Sequence, residues 1–254
     1  MIQIYRLFRH ELKCLLYTPS TYIAMVLSLL LMGFFYFVTL LTISSEEQDQ
    51  LPATIFFSLF WVPVLLIVPM LTMRSFAEER RLGTIETMLT APIQPSQLVM
   101  AKFLAAYTFY LLVWGLTIAY PLLTSLVLKQ PELNQRLFNF GALTGGYLFI
   151  AVSGSLFVSI GIFTSSLTRS QLVAGMLSFS ILFMLIVGVA AIHMLQFDSG
   201  AGSLIPDTAL DYFQVFKHFD DFSRGLIDTR PFVYYLTGTA AVLGFSVLII
   251  ESKT

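Results

Sequence analysis

Six apolar runs, at about 21–43, 54–73, 98–128, 139–167, 171–195 and 231–250, confine what this chain can become. Crossing a hydrocarbon core of ~30 Å takes about 20 helical residues, and each run supplies them. Inside the bilayer no water satisfies backbone amides and carbonyls, so a span must close its hydrogen bonds within itself as a helix. Only 11% of the 254 residues are charged, whereas soluble domains carry about a quarter. The expected fold is an all-α, polytopic membrane protein, a single transmembrane domain over residues 1–254.

Residues 1–18 precede the first span with a different pattern. Arg6, Arg9, His10 and Lys13 interleave with Ile4, Leu7, Phe8, Leu12, Leu15 and Leu16 at intervals of three and four. This is a basic amphipathic helix and not a secretory signal, whose apolar core would follow directly on a few basic residues. Its apolar face is expected in the lipid boundary, with Arg6, Arg9 and Lys13 toward membrane headgroups. Thr18-Pro19-Ser20 ends it.

Charge is unequally shared between the two sides. With the amino terminus inside, one side holds Arg6, Arg9, Lys13, Arg74, Arg80, Arg81, Lys102, Arg169 and Lys253 against Glu11, Glu78, Glu79, Glu86 and Glu251. The other holds Lys129, Arg136, Lys217, Arg224 and Arg230 against ten acids, among them Asp220, Asp221 and Asp228. Basic loops stay in the cytoplasm, so six spans are expected to place both termini there.

The longest polar interruption on that inner side is the stretch Arg74–Lys102, which contains the segment 75–96. Ser75 with Glu78 three places on has the spacing of a capping box, which predicts a short helix starting at Ser75. Gly83 ends it, since glycine reaches left-handed backbone angles without strain. Thr84 is placed to cap a second short helix with Glu86 near its positive end, and Pro92 and Pro95 stop it. The expected product is a helical tip lying across the membrane surface, gripped by something outside the bilayer.

Several functions are disfavoured. The spans carry no Asp, Glu, Lys or Arg away from their ends, whereas ion-coupled carriers usually hold an ionisable group at depth. No GxxxxGK[ST] phosphate loop occurs, so the chain supplies no ATP hydrolysis of its own and is not expected to be an enzyme. An intramembrane serine protease needs a nucleophile with a histidine base nearby. The string Ala151-Val152-Ser153-Gly154 lacks that family's leading glycine, and the sixth span has no histidine. Cys14 is the single cysteine, and His10, His193 and His218 are too scattered for a metal site. Asp220-Asp221 alone is a weak cation signal. An ATPase-independent scaffold or a secondary carrier working through broken helices remains the alternative reading.

The fourth span is rich in small residues. Gly141 and Gly145 form a GxxxG, and Gly154 and Gly161 continue the series. Small side chains allow close helix approach where lipid gives no hydrophobic drive to association, so this helix is expected at the centre. The alternative is that its serines line a polar path. Between spans five and six, the segment 198–230 sets Phe213, Phe216, Phe219 and Phe222 against acids, the pattern of short amphipathic helices in the outer interface.

Taken together, the basic entry helix, the six spans, the tip SFAEERRLGTIETMLTAP, the step Ser165–Gln171 and the segment from His218 to Arg230 resemble an ABC-2 type transporter permease. The likeness covers nearly the whole chain and is nearest to the gliding-motility permeases and their NosY-like relatives. It implies a type V exporter fold with residues 1–18 as the elbow helix and 75–96 as the coupling segment. Ser75, Glu78, Glu79, Arg80, Arg81, Gly83, Thr84 and Glu86 would then lie in or beside the contact with a cytoplasmic ABC ATPase. The resemblance further implies a second permease chain and, for some systems, a periplasmic accessory protein. ATP and Mg²⁺ would bind to the ATPase, no cofactor or metal to this chain, and nucleic acid to neither. The work done would be export of a hydrophobic, lipid-like or polymeric cargo, or the conveying of mechanical work.

Overall fold

The computed structural model describes residues 2–45, 52–83, 94–128, 139–192, 213–224 and 228–252. Every regular element among them is helical. They are α1 (Ile2–Tyr17), α2 (Pro19–Ser45), α3 (Pro52–Ser58), α4 (Trp61–Thr72), α5 (Ala77–Leu82), α6 (Pro95–Leu116), α7 (Ala119–Leu128), α8 (Phe140–Leu167), α9 (Gln171–Phe183), continued by a π-helical turn over Met184–Gly188, α10 (Val215–Ser223) and α11 (Thr229–Glu251). Six stretches are long and apolar enough to cross a bilayer: Pro19–Thr42, Trp61–Leu82, Pro95–Val127, Gly141–Leu167, Gln171–Ile192 and Thr229–Glu251. The chain is a multi-pass membrane protein.

Two runs read as single spans are interrupted, for the same reason. Pro63 has no amide to offer the Leu59 carbonyl four residues back, so Leu59 accepts from Val62 N at 3.2 Å and α3 turns into α4. Pro121 likewise leaves the Thr117 carbonyl to Tyr120 N at 3.1 Å, where α6 gives way to α7. Each break keeps its freed carbonyl hydrogen-bonded, as a low-dielectric surrounding requires.

α8 is the axis of the bundle. Its membrane window is 78% buried against 56% or less in the other five spans. The neighbours reach it through its glycines. At Gly145 the Phe222 carbonyl of α10 occupies the space of a side chain, at Gly146 the Phe57 ring, at Gly154 the Tyr110 ring and at Gly161 Thr72. Gly141 differs, being exposed and facing only Asn139 Oδ1 at 3.3 Å. The α8 hydroxyls turn back on their own helix, Ser153 onto Phe149 O and Ser159 onto Leu156 O, and Ser155 also meets Thr239 of α11 at 3.0 Å. Ser153, Ser155 and Ser159 are thus packed among helices and line no open path.

α1 departs from expectation in its surroundings. It packs along α6, with Leu15 and Leu16 against the core, so protein and not lipid alone covers its apolar face. Arg6, Arg9 and Lys13 are exposed on the other side.

α10 also docks on the bundle. The Phe219 and Phe222 rings lie 5.6 and 5.8 Å from Phe149 of α8, edge-on in the manner aromatic pairs favour. Lys217 and Asp220 stay exposed, and Asp220 pairs with Arg224 at 3.2 Å. The rest of the segment expected to form outer helices, 198–212 and 225–227, lies outside the described residues, as does His193. Among the described residues no three His, Cys, Asp or Glu gather as a metal site.

His218 is buried in this aromatic layer with Nδ1 3.3 Å from the Tyr235 hydroxyl. Desolvation pushes its pKa below the usual 6.5, against Asp221 and Asp228, which favour the proton, and with Lys217, which opposes it. The unfolded chain therefore binds the proton more readily, and stability falls as pH drops through the ordinary histidine range. Melting in detergent between pH ~7.5 and ~5.5 should show a loss of stability that His218→Gln removes; an unchanged slope in the variant assigns it to other groups. Gly145→Ala should destabilise by about 1–3 kcal/mol, because backbone cannot step aside. Gly141→Ala should stay within about 0.5 kcal/mol, and equal effects in the two variants would contradict the packing described.

Candidate functional site

The polar tip grows out of α4. Thr72 ends that helix, residues 73–76 turn, and α5 follows as six residues, AEERRL. Helix α5 starts at Ala77 with Phe76 at its N-cap, one residue later than the Ser75–Glu78 spacing predicts, and no side chain of its own caps it. The cap arrives from elsewhere. Ser165 of α8 accepts from Phe76 N at 3.0 Å and from Ala77 N at 3.1 Å, and donates to Met73 O at 3.3 Å. Two of the donors that every helix start leaves open are thereby satisfied by a buried hydroxyl from another span. Phe76 explains the shift: its ring is fully buried in the core, which holds this residue at the N-cap and Ser75 outside it.

The far end follows the sequence pattern. Gly83 stands at φ 71°, ψ 9°, in the left-handed region, and its amide closes on Glu79 O. Glu78 and Glu79 sit in the first turn and Arg80 and Arg81 in the last, each sign matched to the helix dipole. Arg81, Leu82 and Gly83 are exposed, Leu82 to 63%. Arg80 lies within electrostatic reach of Arg169, which is exposed on the link between α8 and α9. The second short helix, with Thr84, Glu86 and Pro92, falls outside the described residues. Pro95 opens α6 at a position where a missing amide costs nothing.

Beneath α5 lies the pair of contacts that joins three helices. Lys102, in the second turn of α6, puts Nζ 2.8 Å from Glu11 Oε1 of α1 and 2.6 Å from Glu79 Oε1 of α5. Its side chain is 3% exposed and both carboxylates 16%. The ammonium also stands 5.3 Å from the Phe76 ring centroid, within cation–π range. Counted among surface charges in the sequence, Lys102 is instead the buried cation on which two separate carboxylates converge.

Sequence reasoning missed Lys102, Glu11 and Ser165 as members of this site. Lys102 carried a signal, as a solitary cation amid the apolar turns Leu98–Ala106, yet nothing local names its partners. Glu11 is 91 residues away along the chain and Ser165 is 89 from Phe76.

Removing one partner of a buried ion pair leaves charge without compensation, at a cost of about 3–5 kcal/mol. Lys102→Met should lower stability by that order in urea unfolding in detergent. Combining it with Glu11→Gln and Glu79→Gln should restore most of the loss. A single variant as stable as the parent means the ammonium holds nothing together.

The comparisons with known proteins extend over the same elements. A family model described as ABC-2 family transporter protein matches residues 66–250, from within α4 to near the end of α11. Glu79, Lys102 and Ser165 fall inside the match and Glu11 before it. No curated protein matches the chain.

Proposed function

The chain belongs to the ABC-2 family of transporter proteins, and from that premise we propose that it is the membrane-spanning permease of an ABC transporter powered by separate ATPase subunits. Hydrolysis, with its ATP and Mg²⁺, then takes place in those partners, and this chain is not itself an enzyme. α1 serves as the elbow helix and α5 as the coupling helix, on the cytoplasmic face of a bacterial inner membrane with both termini inside. The nearer likeness to the gliding-motility and NosY-like permeases rests on the tip motif.

The observation that carries this reading is the two-ended construction of α5. One end is locked into the bundle through Ser165 and Lys102, while the other presents Arg81 and Leu82 to the surroundings. Closure of an ATPase dimer that grips the exposed end pulls α8 through the serine, and α6 and α1 through the ammonium. Charge-assisted, directional bonds suit such a pull because they do not slide as apolar contacts do. Arg80, Arg81 and Arg169 form a basic surface beside the tip, which fits an acidic rim on the ATPase.

An apolar groove of about 640 Å³ between α4 and α9, from Trp61 to Phe183, supports a hydrophobic or lipid-like cargo. The exposed Val173, Leu177 and Ile181 of α9, which do not line that groove, offer a face for a second permease chain. A periplasmic accessory protein would meet the opposite end of the bundle, where α10 lies.

Arg81→Glu with Leu82→Ser changes exposed residues only. Loss of an anchor worth ~2 kcal/mol would weaken the ATPase complex about 30-fold, read by co-purification and by ATP turnover in the reconstituted complex. Unchanged assembly and turnover would sink the coupling assignment. For orientation, Thr84→Cys in a Cys14→Ser chain should resist impermeant maleimide added to intact cells and react in opened ones; labelling from outside inverts the topology.

A further inference from the structure

We propose that the cavity bounded by α1, α2, α4, α5 and α6 is a binding site for the headgroup of a zwitterionic aminophospholipid, its phosphate held by Arg74 and its ammonium by Glu78. The cavity measures about 200 Å³. It lies where three spans end together: Thr18 to Thr21 at the start of α2, Met70 to Ser75 at the close of α4, and Lys102 in the second turn of α6. Such a level is that of membrane headgroups. Leu15, Met70, Leu71 and Ala105 supply apolar wall beneath the polar groups.

The charges select the ligand. Three carboxylates line the cavity, Glu11, Glu78 and Glu79, with two cations, Arg74 and Lys102. Lys102 is committed to Glu11 and Glu79. That leaves one cation and one anion, Arg74 and Glu78, for an occupant. Arg74 Nε is buried and has no hydrogen-bond partner among the described residues, a state that native structures rarely leave unanswered. A phosphate diester accepts from a guanidinium in a planar fork. An ethanolamine ammonium donates to a carboxylate, which a choline headgroup cannot do, having no N–H. A headgroup with net negative charge meets repulsion from Glu78. From Thr21, which lines the cavity, α2 continues through the exposed Tyr22, Ile23 and Val26, an apolar surface for the acyl chains. None of this depends on an ATPase or on the direction of transport.

Cys14, the single cysteine, lines the same cavity and reports on its occupancy. The full chain is reconstituted in vesicles of phosphatidylcholine alone, or with phosphatidylethanolamine or phosphatidylglycerol added, and Cys14 alkylation by a maleimide is timed. Tyr17→Cys in a Cys14→Ser chain, exposed on the same helix, corrects for the effect of each lipid on interfacial thiols. Phosphatidylethanolamine should slow Cys14 about tenfold, the protection expected of a ligand near ten times its Kd. Arg74→Gln and Glu78→Gln should each abolish the protection, while Arg9→Gln on the exposed face should keep it. Equal rates in all three lipids overturn the proposal, as does protection that survives both cavity variants. Protection by phosphatidylglycerol in place of phosphatidylethanolamine overturns the zwitterionic assignment, and protection by free phosphoethanolamine in phosphatidylcholine vesicles overturns the lipid source.

Discussion

Close approach to α8 is the constraint on which the rest of the structure depends. Lipid tails are as apolar as the side chains that face them, so helices in a bilayer gain nothing from hiding leucine and associate through packing and hydrogen bonds. The α8 glycines supply the packing. Phe222, Phe57, Tyr110 and Thr72 each occupy space that a Cβ would need, and they come from α10, α3, α6 and α4. One helix thereby fixes the placement of four others. The buried hydroxyl pair Ser155–Thr239 adds a polar tie from α8 to α11.

Polar groups are concentrated where this packing stops. At the end of α8, Ser165 leaves its own helix ladder and caps α5. One level across, Lys102 draws in a carboxylate from α1 and one from α5. A buried ammonium with two hydrogen-bonded carboxylates tolerates little displacement, because each ion loses its partner before it regains water. The segment with the fewest residues of its own to stabilise it, the six-residue α5, is consequently tied to three others.

The two faces of the bundle differ in chemistry. One carries the tip, with charge held in pairs and a cavity beside it in which Arg74 and Glu78 remain for an occupant. The other carries α10, held by aromatic edges and by His218 against Tyr235. Rigid, charge-assisted bonds at one end and aromatic contacts at the other give the two ends different means of responding to load and to pH.

The amino-acid sequence by itself determined that the chain is all-helical and crosses the bilayer several times, because hydropathy and the need to satisfy every backbone group are sums over neighbouring residues. It also determined the left-handed stop at Gly83 and the glycine series of α8, and its tip motif carried the likeness to ABC-2 permeases. The proline breaks at Leu59 and Thr117 were legible in Pro63 and Pro121 but masked by the apolarity around them. Only the tertiary structure decided that Ser165 and not Ser75 caps α5, that Lys102 is buried between Glu11 and Glu79, and that α1 lies on α6. Those contacts join residues from 23 to 91 places apart. A periodic pattern tells which face of a helix is apolar or charged, but the partner that meets it is chosen by the packing of the whole bundle.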